Sequence, residues 1–313
     1  MEPVARRRAL GLAAAAAPAL AAAPAAFGAA PAEAAAGGAP RPARRLRTAA
    51  EIGRIRLTWE GEAYAPLVDH YAIHASRTRG FTPGPGNLIA KTVYASFSHS
   101  GMGGRRQDWH YRLVTVDAAG NRSRPSAETA GHSAESVTAS GRPLATVGAF
   151  DHKSLELALA PAGYAQYKTR FAGGVDYTHG ESDPSADWSY IQPGPADAWN
   201  DRKATRATFR FPLDAVPAGE TWLAIWLIDT HASNPGSVVL ALNGAPVREV
   251  ELENGATRGS LEGDATVPGS ALVPSYVELR LPASALKTGE NVLTIDKRTG
   301  SWHAYDALGV FAR

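Results

Sequence analysis

The side chains best suited to chemistry lie in two aromatic-rich stretches, residues 187–199 and 300–306. Both combine Trp and Tyr with Asp and other polar residues, and the first also contains two prolines. Neither shows the alternation of apolar and polar residues that marks a strand. An aromatic ring can stack on the apolar C–H face of a pyranose, while planar polar side chains fix its hydroxyl groups. The two stretches therefore predict a carbohydrate-binding surface.

The predicted contacts divide by their chemistry. Both stretches supply rings for stacking, and the first also supplies side chains that hydrogen-bond hydroxyl groups. Arg170 lies in a cluster of Tyr, Lys and Arg before the first stretch, and its guanidinium could hold the carboxylate of a uronate unit. The predicted carbohydrate-binding residues are Trp188, Tyr190, Gln192, Asp197, Trp199, Arg170, Trp302 and Tyr305.

Structural roles compete for some of these residues. Trp188, Trp302 and Tyr305 fit a hydrophobic core as well as they fit a binding surface, since the last two directly precede an apolar strand pattern. The basic cluster before the first stretch also fits an ordinary solvated surface. Trp222 and Trp226 lie inside a continuous apolar run and are predicted to be core residues.

No catalytic residue is predicted. The sequence has no Gly-x-Ser-x-Gly motif, and its carboxylates cannot be placed as an opposed pair for glycoside hydrolysis. β-Elimination of a uronate needs a base such as Lys, Tyr or His. A lyase or accessory enzyme that uses Tyr167, Lys168, His303 and Asp306 stays open as one alternative. A structural or protein-binding module with buried rings is the second alternative.

The chain is predicted to need no cofactor. It has no cysteine, and its nine histidines are scattered, which argues against zinc–thiolate and other transition-metal sites. Asp176, Glu181, Asp183 and Asp187 supply oxygen ligands of the kind that calcium prefers, but their spacing matches no defined calcium loop. Structural calcium is therefore an alternative, and no metal ligand is assigned.

Hydrophobic periodicity indicates an all-β chain. Period-two runs begin near residue 51 and include residues 55–59 and 71–75, with turn clusters between them. Residues 221–228 are continuously apolar, as in a strand that is covered on both faces. Asn243-Gly244 is a strong hairpin signal. No amphipathic stretch is long enough for the helices of an α/β core.

Three motifs carry a resemblance to a known family. They are residues 146–151, the Asp-Trp-x-Tyr…Pro-Gly-Pro-x-Asp-x-Trp segment at 187–199, and Gly-Ser-Trp-x-x-Tyr-Asp-Ala-Leu at 300–308. Together they resemble the C-terminal carbohydrate-binding-like domain of family-four rhamnogalacturonan lyases over about residues 143–313. The resemblance implies a jelly-roll, galactose-binding-like module for pectin-like polysaccharide. It does not imply a lyase, because no segment here is long enough for that family's catalytic β-sandwich.

The preceding region resembles a bacterial fibronectin type III domain. Residues 114–126 match the end of such a domain, and Leu57-Thr58-Trp59 and Tyr71-Ala72-Ile73 match its early strands. The predicted fold class is therefore all-β, with a fibronectin type III β-sandwich followed by a jelly-roll β-sandwich.

The N-terminus is predicted to be an export signal. Arg6-Arg7-Arg8 precedes an Ala-rich apolar stretch to about Phe27, and small-residue cleavage sites follow near residues 30–34. The Arg pair and the weakly hydrophobic stretch favour the twin-arginine route. Prolines within the stretch argue against a membrane anchor. The protein is therefore predicted to be secreted and extracellular.

The predicted boundaries follow these patterns. They are a signal peptide at 1–34, a disordered spacer at 35–50, a fibronectin type III domain at 51–128, a linker at 129–142 and a carbohydrate-binding-like domain at 143–313. A net charge of only +2 argues against nucleic acid and anionic membrane as partners. The predicted partner is a pectin-like rhamnogalacturonan or related acidic polysaccharide, bound by a monomer.

Overall fold

The structure, a computed structural model, describes residues 39–61, 68–256 and 272–313. The predicted signal peptide and the first part of the predicted spacer lie outside the described residues. None of the helices within those described ranges is long and apolar enough to span a membrane.

The first part of the described chain forms two antiparallel sheets. Their strands are β1 (Arg44–Glu51), β2 (Arg54–Glu60), β3 (Val68–Ser76), β4 (Leu88–Thr92), β5 (Ser96–His99), β6 (Asp108–Asp117) and β7 (Thr129–His132). One sheet has the order β1-β2-β5, and the other has the order β4-β3-β6-β7. We call this part the first sandwich.

Alternating burial explains how these two sheets pack. Every second side chain of β2 is buried, and those between are partly or fully exposed, as expected for a strand with one face on a core. The buried side chains of β2, β3 and β6 form one cluster, which contains Ile55, Leu57, Trp59, Tyr71, Ile73, Tyr111 and Leu113. The predicted period-two strands are confirmed here.

The remaining chain forms a second sandwich of two larger sheets. Its strands are β8 (Arg142–Gly148), β9 (Val175–Thr178), β10 (Ile191–Gln192), β11 (Thr205–Leu213), β12 (Thr221–Thr230), β13 (Ser237–Leu242), β14 (Ala245–Glu251), β15 (Ser275–Leu281), β16 (Gly289–Lys297) and β17 (His303–Ala312). One sheet has the order β10-β17-β12-β15, with β8 also paired to β17, and the other has the order β14-β13-β16-β11-β9. The β9–β11 pair is parallel.

Helical structure in the described ranges consists of single turns. These are α1 (Val137–Ser140), α2 (Tyr167–Arg170) and α3 (Pro184–Asp187), with 3-10 turns at Pro85–Asn87, Tyr164–Gln166, Ala198–Asn200 and Ala283–Ala285. The described chain is thus all-β, as predicted.

The continuous apolar run of β12 is buried on both faces. Leu223, Ile225 and Leu227 enter the large core between the two sheets of the second sandwich. Ala224 and Trp226 point the other way, into a smaller cluster that includes residues of α1 and of the β1–β2 turn. The predicted core role of Trp226 is confirmed. Trp222 remains partly exposed, and its indole N–H donates to Glu220 at 3.0 Å.

Two segments predicted to be irregular are ordered, which corrects the predicted spacer and linker. Residues 44–50, assigned to the spacer, form most of β1, while β7 and α1 lie within the predicted linker at 129–142. Ser133 and Ser136 are fully buried there. The Ser136 backbone N–H donates to the carbonyl of Gly104 at 2.8 Å. Small side chains, which suggested a flexible linker, let this segment pack closely.

Glu278 of β15 joins this segment to the second sandwich. Its carboxylate accepts hydrogen bonds from the Ser136 hydroxyl and from the backbone N–H of Val137, the latter at 2.9 Å. The indole N–H of Trp226 lies 3.5 Å from the same carboxylate. The start of α1 is therefore held by a side chain more than a hundred residues away.

Glu278→Ala should lower the free energy of unfolding by about 1–3 kcal/mol, because two buried donors lose their acceptor. Urea unfolding followed by far-UV circular dichroism measures the loss. Glu181→Ala is the matched control, since Glu181 is exposed and its removal should cost about 0.5 kcal/mol or less. Equal losses for the two variants would contradict the assigned role of Glu278.

Candidate functional site

Six of the eight predicted binding residues are buried in the second sandwich. Trp188, Tyr190, Gln192, Asp197, Trp302 and Tyr305 are each 5% exposed or less. Their side chains present no face on which a pyranose could stack and no group that reaches a sugar hydroxyl. The stacking and hydroxyl-binding roles predicted for these six residues are therefore corrected to framework roles.

Strand pairing explains why the two aromatic stretches resemble a single site. β10 pairs with β17, so that Gln192 lies opposite His303 and Ile191 lies opposite Ala304. The Trp188 ring packs edge-on against that of Tyr305, with the centroids 5.2 Å apart. The two stretches do come together, but they meet inside the sandwich.

A polar network holds this core in register. The Tyr305 hydroxyl donates to the side-chain oxygen of Gln192 at 2.5 Å, and the Gln192 amide donates to the carbonyl of Ile295 at 3.0 Å. Burial raises the pKa of Tyr305 well above its ordinary value, so its hydroxyl stays protonated as a donor. Gln192 therefore joins β10 and β17 of one sheet to β16 of the other.

Asp197 secures the Pro-Gly-Pro loop. Its carboxylate accepts hydrogen bonds from the Ser301 hydroxyl at 2.5 Å and from the Gly194 backbone N–H at 2.8 Å. Burial raises the pKa of Asp197, although both hydrogen bonds oppose that rise. A Cβ at Gly194 would lie 2.4 Å from the carbonyl oxygen of Gly300. The motif residues Gly194 and Gly300 are thus needed for close packing.

Trp199 is the aromatic member of the predicted site that stays partly exposed. Its ring meets that of Tyr164 edge-on, with 5.2 Å between the centroids. Next to it, Asp201 lies 3.3 Å from the Nζ of Lys168 and 3.7 Å from the Nζ of Lys203. We call these five residues, Tyr164, Lys168, Trp199, Asp201 and Lys203, the Trp199 patch.

The backbone after Trp199 shapes this patch. Asp201 and Arg202 have φ angles of 54° and 55°, a left-handed conformation that side chains other than Asn and Asp rarely adopt. This turn brings Asp201 toward Lys168 of α2. Tyr164 and Lys168 belong to the cluster of Tyr, Lys and Arg in which the sequence placed Arg170. The sequence analysis missed Lys203, although the Asp201-Arg202-Lys203 run two residues after Trp199 could have indicated it.

Arg170 is exposed, but its hydrogen bonds lead away from the Trp199 patch. The guanidinium donates to the backbone carbonyls of Ala186 at 3.1 Å and Ser185 at 3.4 Å. Both acceptors belong to α3. These contacts place Arg170 beside α3, so Lys168 is the cation of α2 that belongs to the Trp199 patch.

The residues considered for catalysis do not form an accessible site. Tyr167, His303 and Asp306 are each about 1% exposed or less, whereas Lys168 is on the surface. A polymer chain cannot reach the three buried groups. The lyase alternative therefore has no support from the positions of these four residues.

Three of the four carboxylates considered for calcium have other partners. Asp176 forms a bidentate pair with Arg210, and Asp183 accepts the Ser185 N–H at the start of α3. Asp187 accepts the backbone N–H of Asp183. Across the described ranges, no group of three or more His, Asp or Glu side chains is arranged to hold a metal ion.

The second sandwich extends over residues 142–313. The family model described as CBM-like, domain III of polysaccharide lyase family 4, matches residues 144–309. The chain belongs to this family. No curated protein matches the chain.

Similar solved structures cover parts of the chain. A human fibronectin type III domain is 13% identical over 33% of this chain and 94% of its own, with a TM-score of 0.26. A family 35 carbohydrate-binding module from Clostridium thermocellum is 16% identical over 33% of this chain and 68% of its own, with a TM-score of 0.21. A family 28 exopolygalacturonase from Yersinia enterocolitica is 13% identical over 30% of this chain, with a TM-score of 0.25, and this chain spans 20% of its length.

Proposed function

We propose that the protein is a non-catalytic carbohydrate-binding protein that attaches to acidic polysaccharide through the Trp199 patch. Membership of a carbohydrate-binding-like family supports the ligand class. The observation that carries the choice of surface is a partly exposed Trp beside two lysines, while the other rings of the predicted site are buried.

The chemistry of the patch suits a uronate-containing chain. The rings of Trp199 and Tyr164 supply an apolar face for a pyranose. Lys168 and Lys203 supply ammonium groups that attract a carboxylate. The hydrogen bond from Lys168 holds the pKa of Asp201 below its ordinary value, so Asp201 stays charged as an acceptor for hydroxyl groups. Because such a shallow surface buries little ligand, we expect weak binding per site.

The identity of the polysaccharide, the export route and the monomeric state are proposed from the sequence. The polysaccharide is a pectin-like rhamnogalacturonan or a related polymer, and the protein meets it outside the cell after export by the twin-arginine route. Arg170, beside α3, provides a further exposed cation for an extended chain. The protein acts as a monomer.

Trp199→Ala should weaken retention on acidic polysaccharide at least about tenfold, or by about 1.4 kcal/mol, because it removes the main stacking ring. Affinity electrophoresis in gels that contain polygalacturonate or rhamnogalacturonan measures the change. Lys168→Ala should weaken retention on the same gels, and increasingly so at low salt. Tyr94→Ala and Lys91→Ala, exposed in the first sandwich, are the matched controls and should bind as the unaltered protein does.

Two outcomes would contradict the proposal. Absence of retention on any polysaccharide would favour a structural or protein-binding module. Steady growth of the absorbance of unsaturated uronate products, with either polysaccharide as substrate, would show an enzyme instead.

A further inference from the structure

A polar groove lies where the first sandwich meets β15. It has a volume of about 390 Å³ and is lined by the turn between β1 and β2, by Glu253 and by Tyr276. A second depression of about 360 Å³ lies between β14 and β15 and is lined by the same Glu253 and Tyr276. We call the two together the junction groove. Each falls within the range of about 300–1,000 Å³ that is usual for small-molecule sites.

A firmly held aromatic ring, that of Tyr276, lines both parts of the junction groove. The partly exposed Tyr276 lies so close to Gly53 that a Cβ there would be 2.5 Å from its hydroxyl oxygen. The hydroxyl lies 2.8 Å from the Nε2 of His152, and the ring packs edge-on against Trp226 at 4.9 Å. A ring fixed on several sides loses little conformational entropy when a ligand binds.

The wall of the groove is a chain of alternating charges, Arg56–Glu51–Arg54–Glu253. Arg54 is 12% exposed and donates to both Glu253 oxygens at 2.8 and 2.7 Å, and it also pairs with Glu51. Arg56 donates to Glu51 at 2.6 Å. Burial opposes the charge of Glu51, but hydrogen bonds from Arg56 and Arg54 outweigh it and lower its pKa.

The two ends of this chain face solvent. Arg56 is 50% exposed and Glu253 is 49% exposed, so both keep hydrogen-bonding capacity. A guanidinium that donates and a carboxylate that accepts, both held in place, match the hydroxyl groups of a sugar.

The charge of the junction groove selects against an acidic ligand. Among the described residues, the part between β14 and β15 adds three carboxylates, Glu249, Glu251 and Glu278, and one cation, Arg248. The described carboxylates of the groove therefore outnumber its described guanidiniums, which disfavours a uronate. A neutral, hydroxyl-rich ring avoids that repulsion and still meets the donors and acceptors.

We propose that the junction groove is a second saccharide site, which binds a neutral hexose or pentose unit over the ring of Tyr276. Arg56 donates to its hydroxyl groups, and Glu253 accepts from them. The first sandwich then contributes residues to a binding site. The inference shares with the proposed function the ligand class, saccharide, but it concerns a different surface with the opposite charge preference.

Isothermal titration calorimetry of the full chain tests the inference with two probes, neutral β-1,4-galactotetraose and trigalacturonate. Arg56→Gln and Glu253→Gln should each weaken binding of the galactotetraose at least fivefold and leave binding of the trigalacturonate unchanged. Trp199→Ala should weaken binding of the trigalacturonate and leave binding of the galactotetraose unchanged. The matched controls are Arg45→Gln and Glu60→Gln, which alter an exposed ion pair outside the groove and should change neither affinity.

A measurement without substitutions completes the test. The backbone amide resonance of Gly53 should shift when galactotetraose is added to the unaltered protein. Undiminished galactotetraose binding in both groove variants would overturn the inference. So would absence of binding to galactotetraose, or tighter binding of a cationic glucosamine oligosaccharide. If galactotetraose binds and trigalacturonate does not, the proposed role of the Trp199 patch is overturned, whereas the inference about the junction groove is unaffected.

Discussion

Trp188→Ala should destabilise the second sandwich by about 3–5 kcal/mol, the loss expected when a fully buried Trp is truncated. Trp188 is 1% exposed and packs edge-on against Tyr305 and Phe209. The surrounding rings belong to strands that cannot close around the cavity without breaking their pairing. Loss of packing should therefore dominate the effect on stability.

The matched substitution lies eleven positions further along the same aromatic stretch. Trp199→Ala removes a partly exposed ring that packs against the edge of the core, so it should cost less stability than Trp188→Ala, while it weakens retention on acidic polysaccharide. Urea unfolding followed by far-UV circular dichroism gives the stabilities, and affinity electrophoresis gives the retention. A stable Trp188 variant that no longer binds polysaccharide would reverse the assignment of the two rings.

The contrast between Trp188 and Trp199 shows which features of the site the sequence could predict. Three motifs in order resembled the carbohydrate-binding-like family, and the match over residues 144–309 confirms that resemblance. Which rings face solvent depended on a pairing between Gln192 and His303, more than a hundred residues apart. Local spacing carries no information about such a contact, because clustered rings flanked by Pro and Gly are equally compatible with a loop and with a short buried strand.

The fold was predictable wherever a single strand carried its own pattern. The run at 221–228 is a central strand, and Asn243 and Gly244 adopt φ angles of 52° and 82° in the predicted hairpin turn. Residues 129–142 were predicted to be a linker because Ser, Ala and Gly are typical of flexible linkers. The same residues are also typical of closely packed segments. Their order depends on distant acceptors such as Glu278.

One buried carboxyl group, Asp306, should contribute a loss of stability between pH 4 and pH 8. Asp306 is fully buried, and one of its oxygens accepts the Lys153 backbone N–H at 2.9 Å. The other oxygen has no hydrogen-bond partner among the described residues. Burial raises the pKa of Asp306 to about 8, although the backbone N–H groups of His152 and Lys153 oppose the rise; the nearby carboxylates Asp151 and Glu156 add to it.

The sign of the effect follows from linkage. In the unfolded chain Asp306 loses its proton near pH 4, whereas in the folded chain it keeps the proton up to about pH 8. Its contribution to stability is therefore complete below pH 4, and it declines as the pH rises through the folded pKa. Each pH unit in this window should cost about 1.4 kcal/mol, which makes a total of several kcal/mol.

Asp306→Asn should remove this decline. The amide oxygen can still accept the Lys153 N–H, and the side chain has no charge to bury. Urea unfolding of both proteins at each pH from 4 to 8 tests the claim, with a chelator present because a bound divalent cation would favour the charged carboxylate. The free energy of unfolding of the variant, relative to that of the unaltered protein, should rise steadily from pH 4 to pH 8, because the two chains share every other titrating group. A stability difference that does not change with pH would mean that Asp306 is ionised in the folded protein, and its unpartnered oxygen would then need a cation beside it.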